Sequence, residues 1–140
     1  DNAGVSTISA ELSWTKDKDY YFSLKGNYYS YALDHLSFAP QLPNFEIEGS
    51  AEYRINDKIR GFSNLKITGD RYGLILNAGE DMNKFNLKPI YLLNTGADYE
   101  LKKNFKIFGQ IDNLLNQHYE QLPGYTSQGV RIIAGINLSF

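Results

Sequence analysis

The chain has 140 residues, 42% of them hydrophobic and 21% charged, with a net charge of −2. That length fits one domain, with enough apolar surface for a core or a lipid-facing wall. The absence of cysteine excludes a disulfide framework, a Cys-ligated zinc site and thiol catalysis, and a pI near 5.6 gives no basic footprint for nucleic acid.

Residues 1–10 carry no charged segment followed by an apolar one, so no signal peptide is expected there. Either it was removed or the chain begins inside a longer protein. From this point the apolar residues recur with a period of two, which marks half-buried strands. In 5–14, Ile8, Ala10, Leu12 and Trp14 oppose Ser9, Glu11 and Ser13. In 20–31, Phe22, Leu24, Gly26 and Tyr28 oppose Ser23, Lys25, Asn27 and Tyr29. In 45–55, Phe45, Ile47, Gly49, Ala51, Tyr53 and Ile55 oppose Glu46, Glu48, Ser50, Glu52 and Arg54. In 59–76, Ile59, Gly61, Leu65 and Ile67 oppose Arg60, Asn64, Lys66 and Thr68, with Phe62 and Ser63 out of pattern. Three more strands follow at 90–101, 105–113 and 130–140, the last alternating Val130, Ile132, Ala134, Ile136, Leu138 and Phe140 with Arg131, Ile133, Gly135, Asn137 and Ser139.

The apolar faces carry no charged residue, so one face meets a medium that excludes ions. The connections 15–19, 56–58 and 102–104 are short and polar, whereas 32–44, 77–89 and 114–129 are long and hold all four prolines. Outer-membrane barrels show this asymmetry of short turns at one end and long loops at the other. Alternation alone does not say which face is inside, and a soluble lipocalin-like barrel would point the apolar face at a ligand. Three features favour the membrane barrel. The strands reach the ~9–11 residues a tilted spanning strand needs. Tyr20, Tyr21 and Tyr99 beside the short turns, with Tyr28, Tyr31 and Tyr91 towards the long loops, suggest two interfacial girdles. The sequence also stops at an aromatic, Phe140. Apolar runs such as 90–93 are far too short for a spanning helix.

Within 90–140, the run Asn113-Leu114-Leu115-Asn116-Gln117-His118-Tyr119, then Pro123-Gly124-Tyr125 and Gly129, then a last strand ending in Phe140, resembles the C-terminal end of TonB-dependent outer-membrane receptors, particularly the Bacteroidetes type. Upstream of residue 90 the likeness is only a pattern of barrel hairpins. The resemblance implies an all-β, antiparallel, up-and-down transmembrane barrel in which this chain supplies a C-terminal portion without the plug domain. It implies uptake of a scarce nutrient such as a metal chelate, vitamin or glycan, without enzymatic activity or cofactor. The implied partners are outer-membrane lipid, the rest of a larger barrel and its plug, TonB through that plug, and the outer-membrane assembly machinery, for which Phe140 resembles the recognition signal. The alternative is a small structural or adhesive barrel, with a soluble carrier third.

Strand parity points to a fragment as well. Seven strands ending at the periplasmic side place residue 1 outside, and seven is below the eight at which small barrels close. Only a tight turn at Gly69-Asp70 would yield an eighth strand, 71–78.

Other chemistry weighs little. His35 and His118, beside Asp34 and Glu120, read as solvated loop residues before they read as metal ligands. Glu46, Glu48, Glu52, Arg54 and Arg60 resemble an acid–base cluster, yet any polar wall would show that spacing. The loop acids Asp34, Asp70, Glu80 and Asp81 form no calcium loop, and Gly124 and Gly129 lack the strand–helix context of a phosphate cradle. Asn113 and Asn116 are the best-marked polar residues. They read as amides tying down a turn before they read as ligand contacts.

Overall fold

The structure, a computed structural model, describes residues 3–34, 39–76, 82–122 and 124–139. Among these the chain forms β1 (Ala3–Lys16), β2 (Tyr20–Leu33), β3 (Phe45–Asn56), β4 (Ile59–Thr68), β5 (Arg71–Leu76), β6 (Met82–Leu87), β7 (Ile90–Lys102), β8 (Phe105–Asp112), β9 (Glu120–Leu122), β10 (Tyr125–Thr126) and β11 (Arg131–Leu138). Seven of these make one antiparallel wall in the order β1-β2-β3-β4-β7-β8-β11, an all-β up-and-down arrangement. β1 and β11 are its two ends and are not paired with each other among the described residues. Phe140 and His35 lie outside the described residues.

The expected strand 59–76 is two strands. The ladder between β4 and β7 stops at Thr68–Ile90 and resumes at Arg71–Leu87 between β5 and β6 in unchanged register. Residues 69–70 on one arm and 88–89 on the other make the gap and carry no ladder pairing. The Gly69 N–H faces β3 and donates to the Phe45 carbonyl at 2.9 Å, and the Pro89 carbonyl faces away from β4 and accepts from Gln117 Nε2. Residues 71–76 are therefore a strand, but they pair with β6 in a sheet of their own and add no eighth strand to the wall. The expected loop 77–89 thus contains β6, and the expected loop 114–129 contains the short β9–β10 pair.

Register aligns the two faces across all seven wall strands. Leu12–Leu24–Gly49–Leu65–Leu93 forms one cross-strand row, and Ile107–Ile136 and Ile111–Ile132 belong to the same face. That face carries no charge until Lys16, beside the first turn. Its large side chains are open: Ile8 is 72% exposed, Ile132 75% and Ile136 61%. Ser63, expected to be out of pattern, lies on this face opposite Thr95, and the two hydroxyls bond to each other at 3.1 Å. Thr95 Oγ1 also donates to the Phe62 carbonyl at 3.0 Å, so these polar groups are satisfied within the wall.

The opposite face carries the charges in alternating rows. Glu11, Lys25, Glu48 and Lys66 stand side by side on β1 to β4. Lys66 Nζ lies 3.2 Å from Glu48 and 3.6 Å from Glu46, and Arg131 grips Asp112 through Nε at 2.9 Å. Such half-exposed pairs contribute at most about 1 kcal/mol each, so they set the character of the face more than its stability. Tyr21 and Tyr31, expected in the girdles, belong here: Tyr21 opposes Glu52, and Tyr31 donates its hydroxyl to the Pro43 carbonyl at 2.7 Å. Tyr20, Tyr28, Tyr91 and Tyr99 are on the uncharged face.

Aromatic rings lie on the glycines directly across from them, Tyr53 on Gly61, Phe62 on Gly96 and Phe108 on Gly135. A Cβ at Gly96 would stand 2.5 Å from Phe62 Cζ and 2.6 Å from the Gly109 carbonyl oxygen. The ring could swing away, but the backbone oxygen could not. Gly96→Ala should cost ~1–3 kcal/mol through overpacking. Gly109→Ala, with nothing within 4 Å of the new methyl, should stay within ~0.5 kcal/mol of the parent. Equal urea midpoints for the two variants would show that the close approach at Gly96 is not a constraint.

The buried side chains gather at one end. Ala39, Thr68, Arg71, Leu87, Ile90 and Asn113 are each at most 7% exposed, and all belong to the long-loop end of the sheet. The packed part of this chain is therefore a cluster of loops seated on the rim of a wall.

Candidate functional site

Three segments build this cluster: the first long connection, the β5–β6 hairpin, and the connection from β8 to β11. The third is fixed by amides. β8 ends at Asp112, and Asn113 follows at φ 52°, a left-handed conformation that Asn tolerates better than other non-glycine residues. Its Nδ2 donates to the carbonyls of Gln117 at 2.9 Å and Gln128 at 3.1 Å, while its Oδ1 accepts the Gln117 N–H at 3.0 Å. The Asn113 N–H donates to Asn94 Oδ1 on β7 at 2.9 Å. Asn116, at φ 50°, accepts the Val130 N–H at 3.2 Å. Gln117 then spans to the rim of β7: its Nε2 donates to the Pro89 carbonyl at 2.9 Å and its Oε1 accepts the Tyr91 N–H at 2.5 Å.

The remaining motif residues take different positions. Leu114 donates its N–H to the Leu93 carbonyl at 2.8 Å, and its side chain, like that of Leu115, is exposed. Tyr119 exchanges bonds with Ser127, its N–H donating to Oγ at 3.1 Å and its carbonyl accepting the Ser127 N–H at 2.8 Å. Gly124 turns the β9–β10 pair at φ 79°, a conformation open to glycine, and Tyr125 beside it is 74% exposed. Gly129 must be small, because a Cβ there would meet Asn116 Oδ1 at 2.6 Å.

The hairpin is stitched to both neighbouring connections. On one side the Gln41 N–H donates to the Tyr72 carbonyl at 2.7 Å, and Pro40 forms a bridge with Tyr72. On the other, Arg71 Nη2 donates to the Glu120 carbonyl at 2.9 Å. Lys84 sits 3.7 Å over the Tyr72 ring, a cation–π contact. Between these segments and the charged face lies a hollow of about 380 Å³, lined in part by Gln41, Glu46, Lys66, Arg71 and Tyr119. Neither Arg71 nor Gln117 stood out in the sequence. Arg71 reads there as one more strand residue, and Gln117 occupies a variable position of the motif.

The residues that resembled an acid–base cluster divide into two groups, of which Glu52, Arg54 and Arg60 line one hollow at the short-turn end. Glu46 and Glu48 share Lys66, Arg54 pairs with Asp19 at 3.4 Å by a short turn, and Glu52 stands opposite Tyr21 and Phe62. Among the described residues no group of three His, Asp or Glu side chains could hold a metal ion, and His118 packs near Gly129.

No protein-family model and no curated protein matches the chain. Solved structures do. The ferripyoverdine receptor of the Pseudomonas aeruginosa outer membrane superposes with a TM-score of 0.86 at 14% identity over 99% of this chain. The ferric enterobactin receptor of the same organism gives 0.75 at 14% over 97%, and the siderophore receptor PiuA from Acinetobacter baumannii gives 0.79 at 12% over 97%. The chain spans about a fifth of each of those proteins, between 20% and 22%. The fold is that of a section of an outer-membrane receptor barrel.

Proposed function

We propose that this chain is a wall-and-loop section of a TonB-dependent outer-membrane receptor that imports a scarce nutrient. One observation carries the reading. Register gathers the charged wall residues onto one face and leaves the other uncharged and exposed as far as the strand ends. An uncharged face suits hydrocarbon, and a charged one suits a watery lumen. The fold match to siderophore receptors favours a ferric chelate among the nutrient classes. The motif Asn113–Tyr119 with Gly124, Tyr125 and Gly129 supports the C-terminal portion of the Bacteroidetes type. In this reading residues 1–140 carry no plug, TonB acts through a plug supplied elsewhere in the protein, and Phe140 serves as the assembly signal. The edges of β1 and β11 are then closed by further strands, since unpaired backbone in hydrocarbon costs several kcal/mol per group.

The full-length protein should fractionate with the outer membrane, and its deletion should abolish growth on one ferric chelate as sole iron source. Recovery in the soluble fraction would overturn the membrane reading. Outer-membrane residence with uptake of every iron, vitamin and glycan source intact would favour a structural or adhesive barrel.

A further inference from the structure

We propose that Arg71 anchors a subsite for a carboxylate group carried by a small ligand, in the hollow bounded by β5, the first long connection and Tyr119. The proposal rests on the receptor reading only for the ligand's place in uptake; the binding chemistry comes from the site itself. Arg71 is 6% exposed, yet among the described residues its guanidinium meets a single protein acceptor, the neutral Glu120 carbonyl. Its Nε–H is buried without an acceptor, and no carboxylate pairs with it among the described residues. Glu120's own carboxylate takes the Gly124 N–H at 3.3 Å instead. Burial presses the Arg71 pKa below the usual guanidinium value, as expected of a cation stripped of water without a counter-ion. Burying a charge that way is costly unless something pairs with it.

The pairing of the two cations narrows the ligand. Lys66, the other cation lining the hollow, is already held by Glu46 and Glu48. Arg71 is left as the lining cation without a carboxylate of its own among the described residues, a place that a ligand carboxylate would fill. A planar guanidinium also fits the flat carboxylate fork better than it fits a tetrahedral anion with no second cation to share. The site is built from three separate segments, so ligand entry would draw the β5–β6 hairpin and both neighbouring connections together.

The test is calorimetric titration of the full-length protein in detergent with citrate, with its neutral triester triethyl citrate, and with orthophosphate. Citrate should bind and the triester should not. Arg71→Gln should weaken citrate at least about tenfold, the effect of one charge-assisted hydrogen bond. Orthophosphate should bind more weakly than citrate. Equal citrate affinity in Arg71→Gln, equal binding of the triester, or tighter binding of orthophosphate would each overturn the proposal. If Arg71→Gln fails to fold, the citrate–triester comparison on the unaltered protein decides alone. An outer-membrane importer that ignores citrate loses this site and keeps the receptor reading, whereas a soluble protein loses the receptor reading whatever citrate does.

Discussion

Ile136→Arg should destabilise the protein in a bilayer by ~2–4 kcal/mol, while Asn137→Arg, one residue on, should cost under ~1 kcal/mol. Both sites are in β11, and they point to opposite faces because side chains alternate along a strand. Ile136 is 61% exposed and pairs with Ile107 on the uncharged face, so an arginine there would have hydrocarbon for solvent. Asn137 pairs with Lys106, among charges that already require water. Urea titration in lipid vesicles, followed through the fluorescence of Trp14, reads both variants in one assay. Were Ile136→Arg as benign as Asn137→Arg, the uncharged face would not be the one in lipid.

Asn113→Ala should cost about 3 kcal/mol, because it strands several backbone groups at once. The Gln117 N–H loses its acceptor, the Gln117 and Gln128 carbonyls lose a shared donor, and alanine must still hold φ 52°. Asn113→Gly relieves the conformational part and should recover roughly 1 kcal/mol of it, leaving the loss of hydrogen bonds exposed. Both variants should also speed proteolysis within 114–130, since the connection would lose its anchor to β8. Resistance to protease equal to the parent's would mean that Gln117 and Asn116 hold the loop without Asn113.

The wall was legible in the sequence because its signal is local. A period of two announces itself within any strand, and the two faces differ so sharply in charge that the strands align on inspection. What was hidden depends on partners distant along the chain. Phe62 and Ser63 look like a break in the pattern, yet Phe62 covers Gly96 and Ser63 bonds to Thr95, partners supplied by β7. The split of 59–76 shows only in the pairing, which stops at Thr68–Ile90 and resumes at Arg71–Leu87. In the loop cluster, Asn113 and Asn116 were conspicuous as turn amides, and Asn113 makes two of its three side-chain bonds to Gln117, four residues on. Gln117 reaches a rim 26 residues away, and Arg71 crosses 49 residues to Glu120; no spacing rule points to either.

The interruption between β4–β7 and β5–β6 makes the outer hairpin a separable module. Register runs through the gap unchanged, but residues 69–70 and 88–89 carry no ladder pairing between the arms. Adding one residue to each arm, at 69–70 and at 88–89, would therefore turn the hairpin's two faces over while leaving every pairing in the wall as it is. A graft of a different hairpin between Thr68 and Ile90 would inherit a finished socket, with Gln41 and Glu120 waiting on either side. The rim can thus be re-aimed towards a new ligand without renegotiating the barrel beneath it.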